Sequence, residues 1–283
     1  RAIEYRWARA HLAGSPAARQ PPSCPMPELP EGERAVRMVR RALRGRTIVR
    51  ADLLHPRLTR RIDPAVARGL SGARIADVKR RGKHQLIRLA DGRVLHAHFR
   101  MTGDWLVEPA TRPLPRFARA VFTLDDGRRL VLEDARALAT LDVHAAGSPL
   151  VLDLGVEPAD VALTPRYLRT RLATRRGPIK PVLLDQRVIA GLGNIYAAEA
   201  LWRARISPRA RASSLSPRRL AVLIAAIRTV IARATGARRT GVGAARLNVY
   251  DRESLACRRC GTALRRVVQG GRSTYFCPGC QRR

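Results

Sequence analysis

The sequence is poor in lysine, in acidic residues and in aromatic side chains, and these shortages restrict what the protein can bind. Lysine occurs at three of the 283 positions, so nearly all of the 55 basic residues are arginine, against 22 aspartates and glutamates. The formal net charge of +33 opposes compaction unless a polyanion matches part of it. We expect nucleic acid to be that partner, with an anionic membrane surface as the alternative.

Long apolar stretches are also missing from the sequence. No run approaches the roughly 20 residues that span a bilayer, so we expect no membrane insertion. Residues 1–26 lack the apolar core of a signal peptide and contain proline-rich and Gly-Ser segments. We interpret them as a disordered extension, or as sequence upstream of a true translation start at Met26.

Cysteine is scarce, but its spacing is informative. Four of the five cysteines form two Cys-x-x-Cys pairs, Cys257 with Cys260 and Cys277 with Cys280. This spacing predicts one structural zinc ion rather than a disulfide framework, and free thiols fit a reducing cytoplasm. The interval contains two short strand patterns around Gly270-Gly271, which predicts a β-hairpin finger. Arg272 beside the turn favours a finger that contacts DNA over a generic zinc ribbon.

Hydrophobic patterning divides the rest of the chain into an α+β multidomain protein. Val36, Val39 and Leu43 predict a helix from Glu31 to about Arg44. Short alternating runs separated by Asp-Gly turns predict a β-sandwich with this flanking helix over residues 27–150. Amphipathic patterns predict helices over 164–173, 178–185, 194–203 and 216–234, hence a helical domain over 157–236, before the zinc finger over 250–283.

Candidate catalytic groups occur in the run Met26-Pro27-Glu28-Leu29-Pro30-Glu31. If translation starts at Met26, removal of the initiator leaves Pro27 as the N-terminal residue. An α-amino group titrates near about 8, against about 10.4 for lysine, so more of it is neutral at pH 7. A neutral secondary amine can attack a sugar C1′ and form an iminium, and Glu28 is placed to transfer protons. Taken alone, the run fits a proline-rich loop better.

Several further segments together resemble the formamidopyrimidine-DNA glycosylase family over residues 27–283. They are Pro27–Glu31, Arg80-Arg81-Gly82-Lys83, His98–Gly103, Gly191–Tyr196 and the four-cysteine finger with Arg272. The resemblance implies a helix–two-turn–helix module within the helical domain. It also implies a bifunctional DNA glycosylase/AP lyase of base excision repair. Such an enzyme excises oxidised purines from duplex DNA through a proline Schiff base and β,δ-elimination.

The resemblance also implies roles for single residues of this sequence. The catalytic residues are expected to be Pro27, Glu28 and Lys83. The DNA-contacting residues are expected to be Met101, Arg136, Lys180, Asn194 and Arg272. Of these, Met101 fills the gap left by the flipped base, and Arg136 inserts opposite the orphaned cytosine. We expect a monomer that acts on the nucleoid in the cytoplasm.

Three departures from the family pattern keep alternatives open. Leu138 stands where a phenylalanine wedge is usual, and the stretch 240–248 is shorter than the family loop that covers flipped 8-oxoguanine. Leucine there is expected to weaken the probing of lesions. The shortened stretch fits an endonuclease VIII-like enzyme for oxidised pyrimidines, although that branch usually begins PEGPE and lacks the HxxMTG form. If residues 1–25 are retained, the Pro27 nitrogen is an amide, and the chain is then a DNA-binding protein without lyase activity.

Overall fold

The computed structural model describes residues 27–236 and 246–282. The expectations for residues 1–26 and for most of the shortened loop lie outside these ranges. The helices are α1 (Leu29–Leu43), α2 (Pro56–Thr59), α3 (Pro64–Arg68), α4 (Pro165–Leu172), α5 (Ile179–Leu183), α6 (Asn194–Arg203) and α7 (Pro217–Gly236). The strands are β1 (Ile48–Leu53), β2 (Ile75–Arg81), β3 (His84–Leu89), β4 (Val94–His98), β5 (Gly103–Pro109), β6 (Ala118–Leu124), β7 (Arg128–Asp134), β8 (Thr140–His144), β9 (Arg265–Gln269) and β10 (Arg272–Phe276).

Eight strands form the predicted β-sandwich. One antiparallel sheet has the order β1-β6-β7-β5 and the other β2-β3-β4-β8. The Asp-Gly turns connect β3 to β4 and β6 to β7, as predicted. Strands β5 and β8 were not predicted, because β5 contains glycine, proline and three acidic or aromatic residues that obscure alternation. Pairing with β7 imposes the strand conformation on β5 and overrides its local propensity, whereas β8 is a short run that pairs with β4.

Helix α1 joins the sandwich to the helical domain. It begins two residues before the predicted start, because Glu28 is the extended N-cap residue and Pro30 fits the first helical turn. Val36, Val39 and Leu43 pack into the sandwich core, as their spacing predicted. Leu29 instead packs into the core of the helical domain. One helix therefore contributes to both hydrophobic cores.

Helices α4 to α7 build the second domain around a core that includes Leu168, Leu183, Ile195 and Leu223. Helix α6 has the predicted bounds, whereas α5 ends at Leu183 rather than Asp185. Within the described residues, no helix is long and apolar enough to cross a membrane.

The C-terminal finger packs against α6. Strands β9 and β10 pair antiparallel on either side of the Gly270-Gly271 turn, as predicted. The finger's small core includes Leu264 and Cys277 and continues into Ala198 of α6. The Arg259 guanidinium lies 4.0 Å from the centre of the Trp202 ring. These contacts attach the finger to the helical domain rather than to the sandwich.

Two glycines allow the start of α1 to approach the N-terminus of α6. Gly191 has φ +86° and its carbonyl accepts a 3.2 Å hydrogen bond from the Leu29 N–H. A Cβ on Gly191 would lie 2.6 Å from the Leu29 side chain, and a Cβ on Gly193 would lie 2.2 Å from the Glu28 carboxyl carbon. No other residue type fits either position without moving the first domain away from the second.

We expect Gly193→Ala to separate Glu28 from α6 and to lower the free energy of unfolding by about 1–3 kcal/mol, the usual cost of overpacking. Denaturant unfolding measures this change. Gly177→Ala is the matched control, because nothing lies within 4 Å of a Cβ built at Gly177. Equal unfolding midpoints for the two variants would contradict the steric argument.

Candidate active site

The Glu28 carboxylate lies at the N-terminus of α6, where it is 2% exposed. It accepts hydrogen bonds from the backbone N–H of Ile195 at 2.8 Å and of Tyr196 at 3.3 Å. The first N–H groups of a helix have no partners within it, and the helix dipole favours a negative charge there. A helix of the second domain therefore fixes the carboxylate predicted to transfer protons.

Glu31 steadies the same segment. Its carboxylate accepts hydrogen bonds from the Glu28 backbone N–H at 3.0 Å and from the Tyr196 hydroxyl at 2.6 Å. Pro27 is half-buried and directly precedes this fixed residue. The predicted nucleophile and the predicted proton carrier therefore sit together at the junction of the two domains.

Burial shifts the pKa values of the charged groups in this site. Desolvation raises the pKa of Glu28 to about 7, although the Lys83 ammonium and the two α6 N–H groups favour the carboxylate. Desolvation also lowers the pKa of Lys83, which lies in the turn between β2 and β3, and Glu28 opposes that shift. A carboxyl group whose pKa lies near the working pH can both donate and accept a proton.

In the segment Arg80-Arg81-Gly82-Lys83, Arg80 makes contacts inside the protein and Lys83 lies at the candidate site. Arg80 donates 2.9 Å hydrogen bonds to Glu33 on α1 and to Glu157, which follows the sandwich. The Gly82 N–H donates to the same Glu157 carboxylate at 2.6 Å. Arg80 thus joins three segments, and the turn it supports presents Lys83 near Glu28.

Lys180 is fully buried, although we predicted that it contacts DNA. Its ammonium donates to the Asn194 side-chain oxygen, to the Thr274 hydroxyl at 2.9 Å and to the Ser273 carbonyl at 3.3 Å. The Asn194 amide also donates to the Ser273 carbonyl, at 3.1 Å. A contact of Lys180 with DNA stays a prediction, whereas its contacts within the protein attach β10 of the finger to α5 and α6.

Arg272 is the first residue of β10 and is exposed to solvent. Burial lowers the pKa of Lys180 to about 8, and the positive charge of Arg272 adds a smaller lowering to the pKa of both Lys83 and Lys180. The Arg272 guanidinium therefore lies near the Glu28–Lys83 pair. Glu28, Lys83, Lys180 and Arg272 therefore lie within electrostatic reach of one another, although they come from the first domain, the helical domain and the finger.

The predicted base-contacting residues lie on two neighbouring loops of the sandwich. Met101 is half-buried between β4 and β5, and Arg136 is exposed between β7 and β8. The fully buried Asp134 carboxylate joins these loops. It accepts hydrogen bonds from the Thr102 hydroxyl and from the N–H groups of Arg136, Leu138 and Ala139.

The four finger thiols are arranged for a single metal ion. Their sulfur atoms all lie within 4.8 Å of one another, and three of the sulfur pairs are separated by 3.2 to 3.9 Å. Tetrahedral zinc with Zn–S bonds of about 2.3 Å requires sulfur separations of about 3.8 Å. Cys257, Cys260, Cys277 and Cys280 therefore fit zinc.

Two buried acids of structural importance were not singled out from the sequence. They are Asp134 and Glu199, whose side chains are both buried. The Glu199 carboxylate accepts hydrogen bonds from the N–H groups of Asn248, Val249 and Tyr250 at 2.8 to 3.0 Å. The sequence did contain a signal for Glu199, because an acidic residue within an otherwise apolar helix stands out in a chain that has few acids.

These features define a protein with a β-sandwich domain, a helical domain and a zinc finger, in which a buried carboxyl group and basic side chains lie where the two domains meet. Sequence profiles match the formamidopyrimidine-DNA glycosylase N-terminal domain over residues 26–141 and its H2TH domain over 154–245. The zinc finger found in FPG and IleRS matches residues 254–283. The chain belongs to the formamidopyrimidine-DNA glycosylase family.

Individual relatives agree with this assignment. The chain is 43% identical to the formamidopyrimidine-DNA glycosylase of Chloroflexus aggregans. The alignment covers 90% of this chain and 98% of that protein. The formamidopyrimidine-DNA glycosylase of Symbiobacterium thermophilum is 41% identical, and the alignment covers 90% of this chain and 89% of that protein. Among solved structures, Lactococcus lactis Fpg bound to abasic-site DNA is 27% identical with a TM-score of 0.85, and the match covers 91% of this chain and all of that one. The expected family, fold class and zinc cofactor are confirmed.

The raised pKa of Glu28 predicts an unusual dependence of stability on pH. Because its folded pKa of about 7 exceeds the ordinary value of 4.5, the folded protein holds this proton more tightly than the unfolded chain. This group therefore lowers stability as the pH rises from about 4.5 to 7. We expect the unfolding free energy of Glu28→Gln, relative to the unaltered protein, to increase between pH 5 and pH 8.

Glu33→Gln is the matched control for this series. Hydrogen bonds and charge from Arg80 and Arg37 hold the pKa of Glu33 below its ordinary value. Its carboxylate therefore adds stability that is lost only as the pH falls below the ordinary value of 4.5. Between pH 5 and pH 8 the difference in unfolding free energy between Glu33→Gln and the unaltered protein should stay constant. A pH-independent difference for Glu28→Gln would show that its carboxyl group titrates normally.

We expect Asp134→Asn to disturb both base-contacting loops, because an amide NH₂ would then face at least one backbone N–H. The cost of an unsatisfied buried donor, about 1–3 kcal/mol, should appear in denaturant unfolding. Affinity for a duplex with an abasic site should fall as well. Asp142→Asn is the control, since Asp142 makes an ion pair with Arg61 at the surface. Equal affinities for the two variants would exclude this positioning role.

Proposed function

We propose that the protein is a bifunctional DNA glycosylase and AP lyase of base excision repair that removes oxidised purines, 8-oxoguanine and formamidopyrimidines, from duplex DNA. One observation carries the proposal. The Glu28 carboxyl group, with a pKa near 7, is fixed on the α6 N-terminus beside Pro27 and Lys83. Relatives named formamidopyrimidine-DNA glycosylase support the substrate class.

In the proposed reaction the damaged nucleotide leaves the base stack and enters the site at the domain junction. The neutral Pro27 amine forms a bond to C1′ as the glycosidic bond breaks. The bonding electrons leave with the base, which takes up a proton, and the nitrogen loses its own proton. The nitrogen lone pair then breaks the C1′–O4′ bond, O4′ takes up a proton, and the ring-opened iminium results. Glu28 exchanges protons with the sugar and the leaving base.

The iminium then acidifies the neighbouring sugar protons. Removal of a C2′ proton expels the 3′ phosphate in β-elimination, and a second proton loss at C4′ expels the 5′ phosphate in δ-elimination. Lys83, Arg272 and Asn194 contact the phosphates beside the lesion, since cationic groups and amides of this kind bind backbone oxygen atoms. Met101 fills the vacated space, and Arg136 inserts opposite the cytosine.

Zinc maintains the finger that carries Arg272 and takes no part in bond cleavage. Damaged duplex DNA is the partner, and a single chain carries every residue that the reaction requires. We therefore propose a monomer that works on the nucleoid in the cytoplasm, where the +33 charge strengthens association with the phosphate backbone.

Borohydride trapping tests the chemistry and the lesion range together. Two proteins are compared, one produced from Met26 so that Pro27 is the N-terminus by intact mass, and the full 283-residue chain. We expect the first to be trapped on 8-oxoguanine paired with cytosine. The full chain should bind the same duplex without trapping, because its Pro27 nitrogen is an amide.

The remaining outcomes distinguish the alternatives. Trapping only on thymine glycol paired with adenine would indicate an endonuclease VIII-like lesion range. DNA binding without trapping by the protein that starts at Pro27 would contradict the enzymatic proposal.

A further inference from the structure

Four of the six histidines of the chain lie on one face of the second sheet. They are His84 on β3, His96 and His98 on β4, and His144 on β8. Alternation places their side chains on the face opposite the sandwich core, because Gln85, Leu95 and Ala97 between them are buried. The proposed reaction uses none of His84, His96 and His144.

Three of these rings form a continuous row. The distance from His84 Nδ1 to His96 Nε2 is 2.8 Å, and that from His96 Nδ1 to His144 Nε2 is 3.2 Å. In the strand register, His84 lies opposite His98, and His144 lies opposite Val94. The row therefore runs diagonally across three paired strands, whose hydrogen bonding holds the rings at these separations.

The separations match the spacing of two imidazoles on one metal ion. Neighbouring nitrogen ligands about 2.0–2.1 Å from an ion lie about 2.8 Å apart in a square arrangement and about 3.4 Å apart in a tetrahedral one. Imidazoles with an ordinary pKa near about 6.5 are neutral above pH 7, and the neutral ring is the ligand. A tilt of the rings toward a common point would replace the hydrogen bond by two metal–nitrogen bonds.

His144 can accept the hydrogen bond that orients His96 as a metal ligand. Metal-bound histidines usually donate their second ring N–H to an acceptor, which fixes the tautomer. His144 Nε2 faces His96 Nδ1 and can accept this hydrogen bond. The Nε2 lone pair of His96 is then directed toward His84.

The surrounding charges select the type of ion. Asp142, opposite His96 across the β4–β8 pair, is engaged by the Arg61 guanidinium at 2.7 Å. Arg100 follows β4 and adds positive charge. A pair with nitrogen ligands and no free carboxylate disfavours Mg²⁺ and Ca²⁺, which prefer oxygen. Imidazole suits Cu²⁺, Ni²⁺ and Zn²⁺, with Cu²⁺ bound most strongly.

We propose that His84 and His96 form a binding site for a divalent transition-metal ion, with His144 orienting His96 and water completing the coordination. This site is separate from the cysteine finger. It adjoins the Met101 turn, because the His84 ring packs edge-on against His98 at 4.7 Å, and His98 Nδ1 accepts a hydrogen bond from the Arg100 N–H at 3.0 Å.

The test adds one equivalent of Cu²⁺ to the zinc-loaded full chain at pH 7.5 and records electron paramagnetic resonance spectra. We expect nitrogen coupling from two imidazoles. His84→Asn and His96→Asn should each weaken binding at least about tenfold and remove one coupled nitrogen, whereas His144→Asn should have a smaller effect. His55→Asn is the control, because the His55 ring caps α2 by accepting a hydrogen bond from the Arg57 N–H and is not part of the row. Constant zinc content shows that the finger is unchanged.

A second measurement needs no substitution. Ni²⁺ added to the unaltered protein should broaden the ring signals of His84 and His96 in nuclear magnetic resonance spectra before those of His55. Unchanged Cu²⁺ affinity in both His84→Asn and His96→Asn, or broadening that spares these two rings, would overturn the proposal. Neither readout depends on glycosylase activity, so the proposed function can fail independently.

Discussion

The contact of the Glu28 carboxylate with the N-terminus of α6 is the constraint on which the active site depends. It places an acid of the first domain on a helix of the second, and it requires that residues 191 and 193 have no side chain. Burial alone would drive this group to its neutral form, whereas the helix N-terminus and Lys83 favour the charged form. These opposing effects leave the pKa of Glu28 near 7, so its carboxyl group can both donate and accept a proton.

The same contact explains where this arginine-rich chain keeps its lysines. Lys83 and Lys180 both lie close enough to Glu28 to feel its charge, and burial lowers the pKa of each. An ammonium fits Lys180's compact set of three acceptors, whereas a planar guanidinium is larger and always charged. Lys79 makes only a 3.8 Å surface contact with Asp77. Two of the three lysines therefore lie where burial lowers the pKa of a small cation, and nothing in the structure explains lysine at position 79.

Local patterns predicted the parts of the fold that depend on neighbouring residues. The bounds of α6 and the two Asp-Gly hairpins follow from periodicity and turn chemistry. Strand β5 was missed because only its pairing with β7 makes it a strand. The site depends on still longer separations, since Glu28 and Ile195 are 167 residues apart. Family resemblance suggested which residues belong together, but only the structure revealed that Lys180 is enclosed and that Asp134 joins two loops.

The residues proposed for the chemistry and those proposed for lesion recognition lie in different parts of the protein. Pro27, Glu28 and Lys83 lie where the two domains meet, and moving them would disturb the packing of both cores. Met101, Arg136 and Leu138 lie on sandwich loops that one carboxylate joins through side-chain and backbone hydrogen bonds. Because Asp134 binds the backbone N–H of residue 138, the loop conformation does not require a particular side chain there. We therefore expect leucine in place of phenylalanine to alter the proposed contact with the DNA bases without disturbing the proposed proton transfer at the sugar.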